Sequence, residues 1–162
     1  MVLQAASLCL LLSGALIVYK ICILISRSES PVVVVLSGSM EPSIHRGDLL
    51  VLSNFQQPSL TSGDIVVYKI PGKEIPIVHR IIKIHDSLRG GIKVLSKGDN
   101  NMVDDRGLYG YDRDWLERDL IIGKARAFLP YAGMVTILMN DYPQLKYVVF
   151  GVLSILALIS GE

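Results

Sequence analysis

Three kinds of side chain that can cooperate in acyl transfer are spread along this 162-residue chain: serines next to glycine, histidines, and a cluster of aspartates. Ser37-Gly38-Ser39-Met40-Glu41-Pro42 follows the β-branched run Val32 to Leu36. A hydroxyl just past a rigid strand end, beside a glycine that lets backbone come close, is what a serine nucleophile needs. The same residues also suit an ordinary Ser/Gly turn. A base must take the seryl proton, and there are three histidines. His45 sits beside Arg46 in a turn, and His85 follows a strand and precedes Asp86, where exposure is expected. His79, within the apolar segment Pro76 to Ile82, reads alone as a hydrogen-bonded core histidine. Paired with a strand-end serine it is the best candidate for a general base, because a neutral imidazole near pH 7 can take a proton and return it to a leaving amine. Such a base is usually oriented by a third group. Asp99, Asp104 and Asp105 share one polar loop, and spacing does not choose among them. Gly98-Asp99-Asn100-Asn101 suits a turn held by Asx hydrogen bonds, and Asp104-Asp105-Arg106 a solvated loop with a local ion pair.

These residues need a scaffold, and composition bounds it. The length allows one domain plus an appendage. Apolar residues make up 51% of the chain, and a mean hydropathy of +0.45 is high for a soluble globule. The excess lies mostly at the two ends, so a polar core with membrane-facing termini is expected. A net charge of +1, from 16 basic and 15 acidic residues, gives no electrostatic reason to expect a nucleic acid partner. Cys9 and Cys22 both fall in the first apolar segment. No spacing suits a metal site, and no metal or cofactor is expected.

Residues 1–26 are almost entirely apolar or small, with Lys20 the one charge. That is long enough to cross a bilayer, which takes about 20 residues. Lys20, near the end, can snorkel to the interface beside Tyr19. With no basic residues before the run and no Ala-x-Ala-like site near its end, an uncleaved anchor is favoured over a signal peptide. Lys20 and Arg27, taken alone, place the following domain in the cytoplasm. Ser28 to Pro31 reads as a short polar linker.

From Pro31 to about Ile84 the texture is β. The valine run reads as a buried strand. Leu49 to Leu52, Ile65 to Ile70, Ile75 to Ile84, Ile92 to Ser96 and Ile121 to Leu129 read as further strands, the last closing the sheet. Arg46-Gly47-Asp48, residues 53–62, Pro71 to Glu74 and residues 87–91 punctuate them. Short strands at roughly ten-residue spacing predict a mainly β fold, a compact antiparallel barrel or folded sheet. Asp114 to Leu120 can hold a helical turn. After Pro143, the uncharged run of residues 147–161 would span about 22 Å as a helix. That is short of the roughly 30 Å hydrocarbon core, so it suits a short or interfacial membrane helix, or one completed by partner subunits. The expected division is an anchor over 1–26, a β-rich domain over 27–142 and a short apolar helix over 143–162.

Five blocks, in order, now stand out: SGSMEP, RGD, GDIVVY, IPIVHR and KGDNN followed by the Asp104-Asp105 pair. Together they resemble the signal peptidase I family, specifically the endoplasmic-reticulum branch, which uses serine and histidine where the bacterial branch uses serine and lysine. The resemblance runs from about Ser28 to the C-terminus. It implies Ser39 as nucleophile, His79 as general base, Asp105 as third catalytic residue and Asp99 as a structural or orienting acid. It further implies an oxyanion held by the Ser39 backbone N–H with the Ser37 hydroxyl as second donor. Met40 and the valine strand would border shallow pockets for small side chains, and the substrate would pair as an added strand. The implied activity is removal of signal peptides from preproteins, within a multi-subunit complex in the endoplasmic-reticulum membrane, by a lumenal domain on a single-pass anchor. This orientation is opposite to the Lys20/Arg27 signal, and five blocks outweigh two charges. The family also carries a polar, partly basic stretch before its anchor, so residues upstream of Met1 are expected. Two other readings are a Ser/His signal peptidase of archaeal or sporulation type acting alone, and an anchored β domain that binds apolar peptides without cutting them. The C-terminal apolar segment counts against the first, and retention of Ser39, His79 and Asp105 against the second.

Overall fold

The computed structural model describes residues 2–55, 60–87, 91–110 and 113–159. Residues 56–59 of the loop expected over 53–62, residues 88–90 of the turn expected over 87–91, and the last three residues of the C-terminal segment lie outside this description.

Helix α1 (Val2–Ser26) forms from a largely apolar run without proline, in which Lys20 is the one charge. Its stretch Cys9–Ser26 is long and apolar enough to cross a membrane, and none of it is buried against protein. Arg27 takes a left-handed φ of 52° and ends the helix. The segment that follows is pinned to the sheet. Ser26 O accepts from Asn54 N at 2.8 Å, and Leu52 N donates to Pro31 O at 2.8 Å. Ser28, expected in a polar linker, is buried and donates through Oγ to Ile122 O at 3.0 Å.

Among the described residues seven strands follow: β1 (Val32–Val34), β2 (Leu49–Ser53), β3 (Ile65–Tyr68), β4 (Ile77–Ser87), β5 (Gly91–Lys97), β6 (Leu116–Glu117) and β7 (Ile121–Leu129). Helix α2 (Arg106–Tyr109) lies between β5 and β6, and α3 (Met134–Asp141) and α4 (Gln144–Ile159) end the chain. The strands make one curled antiparallel sheet in the order β1-β2-β7-β3-β4-β5-β6, a half-barrel with β1 and β6 at its edges. The mainly β fold with an N-terminal apolar helix and a short apolar C-terminal helix is therefore as expected from the sequence, with α3 added before it.

Several details differ. The valine run is not a buried strand. Only Val32–Val34 pairs, and only with β2, so the strand forms an edge and Val32 is 46% exposed. The expected closing strand, β7, lies mid-sheet, joining β2 to β3. Its Val51-side bulge and the Val67/Tyr68 shift bend the ladder there. The two-residue β6 and the one-turn α2 had too little apolar periodicity to read. The Asp114 to Leu120 stretch holds β6 and then a 3₁₀ turn over Arg118–Leu120. Residues 135–139 lie within helix α3. Helix α4, at 16 residues, is about 24 Å long, short of a full hydrocarbon core.

Strand alternation serves two cores. Val66 and Tyr68 join Ile81, Val94, Leu95, Tyr109 and Leu116 in one cluster. Val67 joins Val35, Met40, Ile44, Leu50 and Leu52 in the other. The period-2 pattern of β3 thus buries successive side chains against different neighbours.

Candidate active site

Three adjacent strands and two loops assemble the polar centre. His79 lies in β4 opposite Val66 of β3. Ser96 lies in β5 opposite Ile81, two residues on from His79. Tyr68 ends β3, and its ring meets that of His79 edge-on at 6.5 Å between centroids. Ser39 occupies the turn beyond β1, where Ile44 N donates to Met40 O at 3.1 Å. Asp105 precedes α2, which begins as Leu108 N donates to Asp105 O at 2.8 Å; Asp105 N in turn donates to Ser96 O at 3.0 Å.

Ser39 Oγ lies 3.1 Å from His79 Nε2, and His79 Nδ1 lies 2.6 Å from Asp105 Oδ2. Both His79 and Asp105 are buried. An ionised carboxylate can only accept, so Nδ1 carries the proton and Nε2 is left to accept from Ser39. Ser39 has one proton to give, so the Ser37 hydroxyl, 3.2 Å from Ser39 Oγ, is the donor in that pair. Burial raises the pKa of Asp105, but hydrogen bonds from His79, Ser96 and Tyr68 outweigh it and hold the carboxyl below its ordinary range. A hydroxyl, an imidazole and an anion in this order can remove the hydroxyl proton as the oxygen attacks.

The other candidates lie elsewhere. Asp99 is gripped by Arg80 through Nε at 2.9 Å and Nη2 at 2.7 Å, and accepts from Ser43 Oγ at 2.7 Å. The Arg80 guanidinium beside it, against a smaller opposing effect of burial, keeps the Asp99 carboxyl below its ordinary range. Asp99 thereby ties β4 to the turn that carries Ser39. Asp104 makes the expected local ion pair, 3.8 Å from Arg106 Nε. Its neighbour Asp105, read as part of the same solvated loop, is instead buried. His45 is exposed, its backbone N–H donating to Asp48 Oδ2, and His85 is exposed beside Trp115.

The glycine that lets backbone come close is Gly98, whereas a Cβ on Gly38 would meet only the Glu41 side chain. Asn100 donates from its N–H to Ser39 O at 2.9 Å and from Nδ2 to Gly38 O at 3.1 Å. A Cβ on Gly98 would stand 2.7 Å from Ser39 O. Gly98, Asn100, Arg80, Ser43, Tyr68, Ser96 and Tyr109 all support the site without having been singled out. Four of them lie inside the five sequence blocks, but neither type nor spacing shows which atoms they hold.

A groove of about 460 Å³ opens beside these groups. Val33, Val34, Leu36, Ile75, Ile77 and Leu108 wall it, and Ser37, Ser39 and His79 also line it. The valine strand borders it as expected. Met40 does not: it is fully buried among Val35, Ile44 and Leu50, because the turn after Ser39 rolls the next side chain inward. Among the described residues no group of three or more His, Cys, Asp or Glu could hold a metal.

Residues 13–123 match the family described as Peptidase S24-like, and residues 134–159 the signal peptidase C-terminal short helix. Over 159 residues, 98% of this chain, it is 54% identical to the signal peptidase complex catalytic subunit SEC11C of Homo sapiens, of which the match covers 83%. It is 52% identical over the same share of the chain to the signal peptidase complex catalytic subunit sec11 of Dictyostelium discoideum, covering 88% of it. The putative catalytic subunit SEC11B of Homo sapiens is 50% identical, with 95% covered. Identity of this extent, spanning the sheet, the polar centre and the terminal helices alike, means that the chain belongs to the SEC11 family of S24-like peptidases.

Proposed function

We propose that this chain is a serine endopeptidase that removes signal peptides from preproteins, acting as the catalytic subunit of a signal peptidase complex with its β domain on the lumenal side of the endoplasmic-reticulum membrane. The observation that carries the reading is the hydrogen-bonded series Ser39–His79–Asp105 beside an apolar groove. The names of the relatives, catalytic subunits of a signal peptidase complex, point to the substrate class and the assembly.

The chemistry follows from the proton positions. His79 Nε2 takes the Ser39 proton while Oγ adds to the carbonyl carbon of the scissile peptide. The resulting imidazolium is stabilised by Asp105, and the tetrahedral oxyanion by the Ser39 N–H and the Ser37 hydroxyl, which swings from Ser39 Oγ. His79 then hands its proton to the leaving amine, the C–N bond breaks, and an acyl-Ser39 ester remains. Water, deprotonated by His79, hydrolyses that ester and restores the serine. An extended peptide lying along the groove, with small side chains beside Val33 and Leu36, brings its carbonyl to Ser39. An N-terminal helix long enough to span a bilayer keeps the site near the membrane, where the end of a signal peptide's apolar region emerges.

The test is preprotein cleavage in membranes reconstituted with the other subunits. Ser39→Ala and His79→Ala are each expected to lower the rate by about 10⁴-fold or more while the complex still assembles. An unchanged rate with Ser39→Ala would leave an anchored peptide-binding domain as the better reading.

A further inference from the structure

The carboxylate of Asp105 receives more donors than the imidazole alone. Ser96 Oγ lies 2.6 Å from Asp105 Oδ2, and Tyr68 OH lies 3.0 Å from the same oxygen. Ser96 Oγ also lies 2.8 Å from Tyr109 OH and 3.1 Å from Tyr68 OH. Tyr109 OH accepts from the Ser96 backbone N–H at 2.9 Å. Tyr68 and Ser96 have no solvent exposure, and Tyr109 is 4% exposed. Three hydroxyl protons must therefore be shared out without help from water.

Contact lengths select the distribution: the 2.6 Å contact of Ser96 with the carboxylate takes its proton in preference to the 3.1 Å contact with Tyr68. The carboxylate can only accept, so it takes the proton of Ser96 and that of Tyr68. Ser96, having given its proton away, accepts from Tyr109. The Tyr109 oxygen accepts in turn from Ser96 N, which fixes its rotor. All three hydroxyls point, directly or through Ser96, toward one carboxylate oxygen. Burial pushes the pKa of both tyrosines up, so they remain neutral donors. The pieces come from β3, β5 and α2, and Tyr109 lies one turn after Asp105 itself. Removing any one hydroxyl leaves a buried partner short of a bond.

We infer that Ser96 and Tyr68, with Tyr109 fixing the Ser96 rotor, are positioning residues that hold the Asp105 carboxylate ionised and aimed at His79 Nδ1. The inference rests on the reading of His79 as base and Asp105 as the group that orients it. It assigns the hydroxyls no contact with substrate: they act through Asp105, so their removal changes the chemical step and not substrate binding.

The assembled complex tests this through kcat and KM for preprotein cleavage by Ser96→Ala, Ser96→Thr, Tyr68→Phe, Asp105→Asn and the double variant Ser96→Ala/Asp105→Asn. Ser96→Ala is expected to lower kcat about 10- to 100-fold with KM within about twofold. Ser96→Thr, which keeps a hydroxyl, recovers most of that loss, and Tyr68→Phe costs less than Ser96→Ala because its bond is longer. The double variant is expected to be no slower than Asp105→Asn alone, since a group acting only through the carboxylate has nothing left to act on. If the losses multiply instead, Ser96 has an independent structural role and the inference is wrong. It is equally wrong if Asp105→Asn is impaired while Ser96→Ala and Tyr68→Phe cleave at the parent rate. If Asp105→Asn itself cleaves at the parent rate, the reading of the site fails together with the inference. Should Ser96→Ala fail to assemble, Tyr68→Phe carries the test alone, because it removes one oxygen and keeps the ring.

Discussion

At the scale of residues, two aspartates six positions apart do different things because different partners reach them. Asp105 lies against His79 in a buried, hydroxyl-rich site, whereas Asp99 is locked to Arg80 and Ser43. Asp105→Asn would leave the imidazole facing an amide that cannot stabilise its charged form, and is expected to slow cleavage by about 10³- to 10⁴-fold. Asp99→Asn is expected to cost much less in rate; equal or reversed losses in the reconstituted assay would exchange their roles. Asp99 has its own signature in pH. Its pKa is lowered on folding, so its stabilising contribution is complete above the ordinary carboxylate value and is lost as pH falls through the lowered one. Thermal melting of the parent and Asp99→Asn should therefore differ at about pH 7 and converge only as the pH falls below the ordinary carboxylate range.

At the scale of elements, the site depends on how the 97–105 loop meets the turn that carries Ser39. Gly98 lets the two backbones touch, and Asn100 fastens them through the carbonyls of Gly38 and Ser39. Gly98→Ala would push a methyl group into the Ser39 carbonyl. It is expected to destabilise the domain by about 1–3 kcal/mol and to depress cleavage as Ser39 moves off His79. Gly107→Ala, where a Cβ meets nothing within 4 Å, is the control and should change neither the melting temperature nor the rate. The strands themselves were legible because β2, β3, β4, β5 and β7 are short segments rich in Val, Ile or Leu, most of them bounded by Gly, Pro or Asp turns. β6 and α2 were not, since two and four residues carry no periodicity, and their pairing depends on β5 and on Asp105 lying nearby.

At the scale of the whole molecule, an apolar helix of 25 residues precedes the sheet and one of 16 follows it, most of their described side chains exposed. Arg27 and Ser28 turn α1 directly onto the sheet through the Ser28–Ile122 bond, so the end of α1 is tied to the sheet that carries the groove. An Asn-x-Thr acceptor introduced within residues 56–62 should be glycosylated during membrane insertion if the domain is lumenal. A product that stays unmodified, while a control acceptor on a known lumenal domain is used, would place the domain in the cytoplasm as the Lys20/Arg27 pattern does.

Sequence alone determined what depends on composition and local order: the apolar ends, the strand-and-turn alternation, a serine past a strand end and a histidine within one. The resemblance of five ordered blocks added the candidate roles. What tertiary structure decided is proximity between positions far apart in the chain. Ser39 and His79 are separated by 40 positions, and His79 and Asp105 by 26. No local rule brings them within hydrogen-bond distance; the antiparallel register of β3, β4 and β5 does, together with the curl of the sheet. The same fold exposed the valine strand as an edge, turned Met40 inward, chose Asp105 over its neighbours as the partner of His79, and gave that carboxylate two buried hydroxyl donors, Ser96 and Tyr68, with Tyr109 behind Ser96.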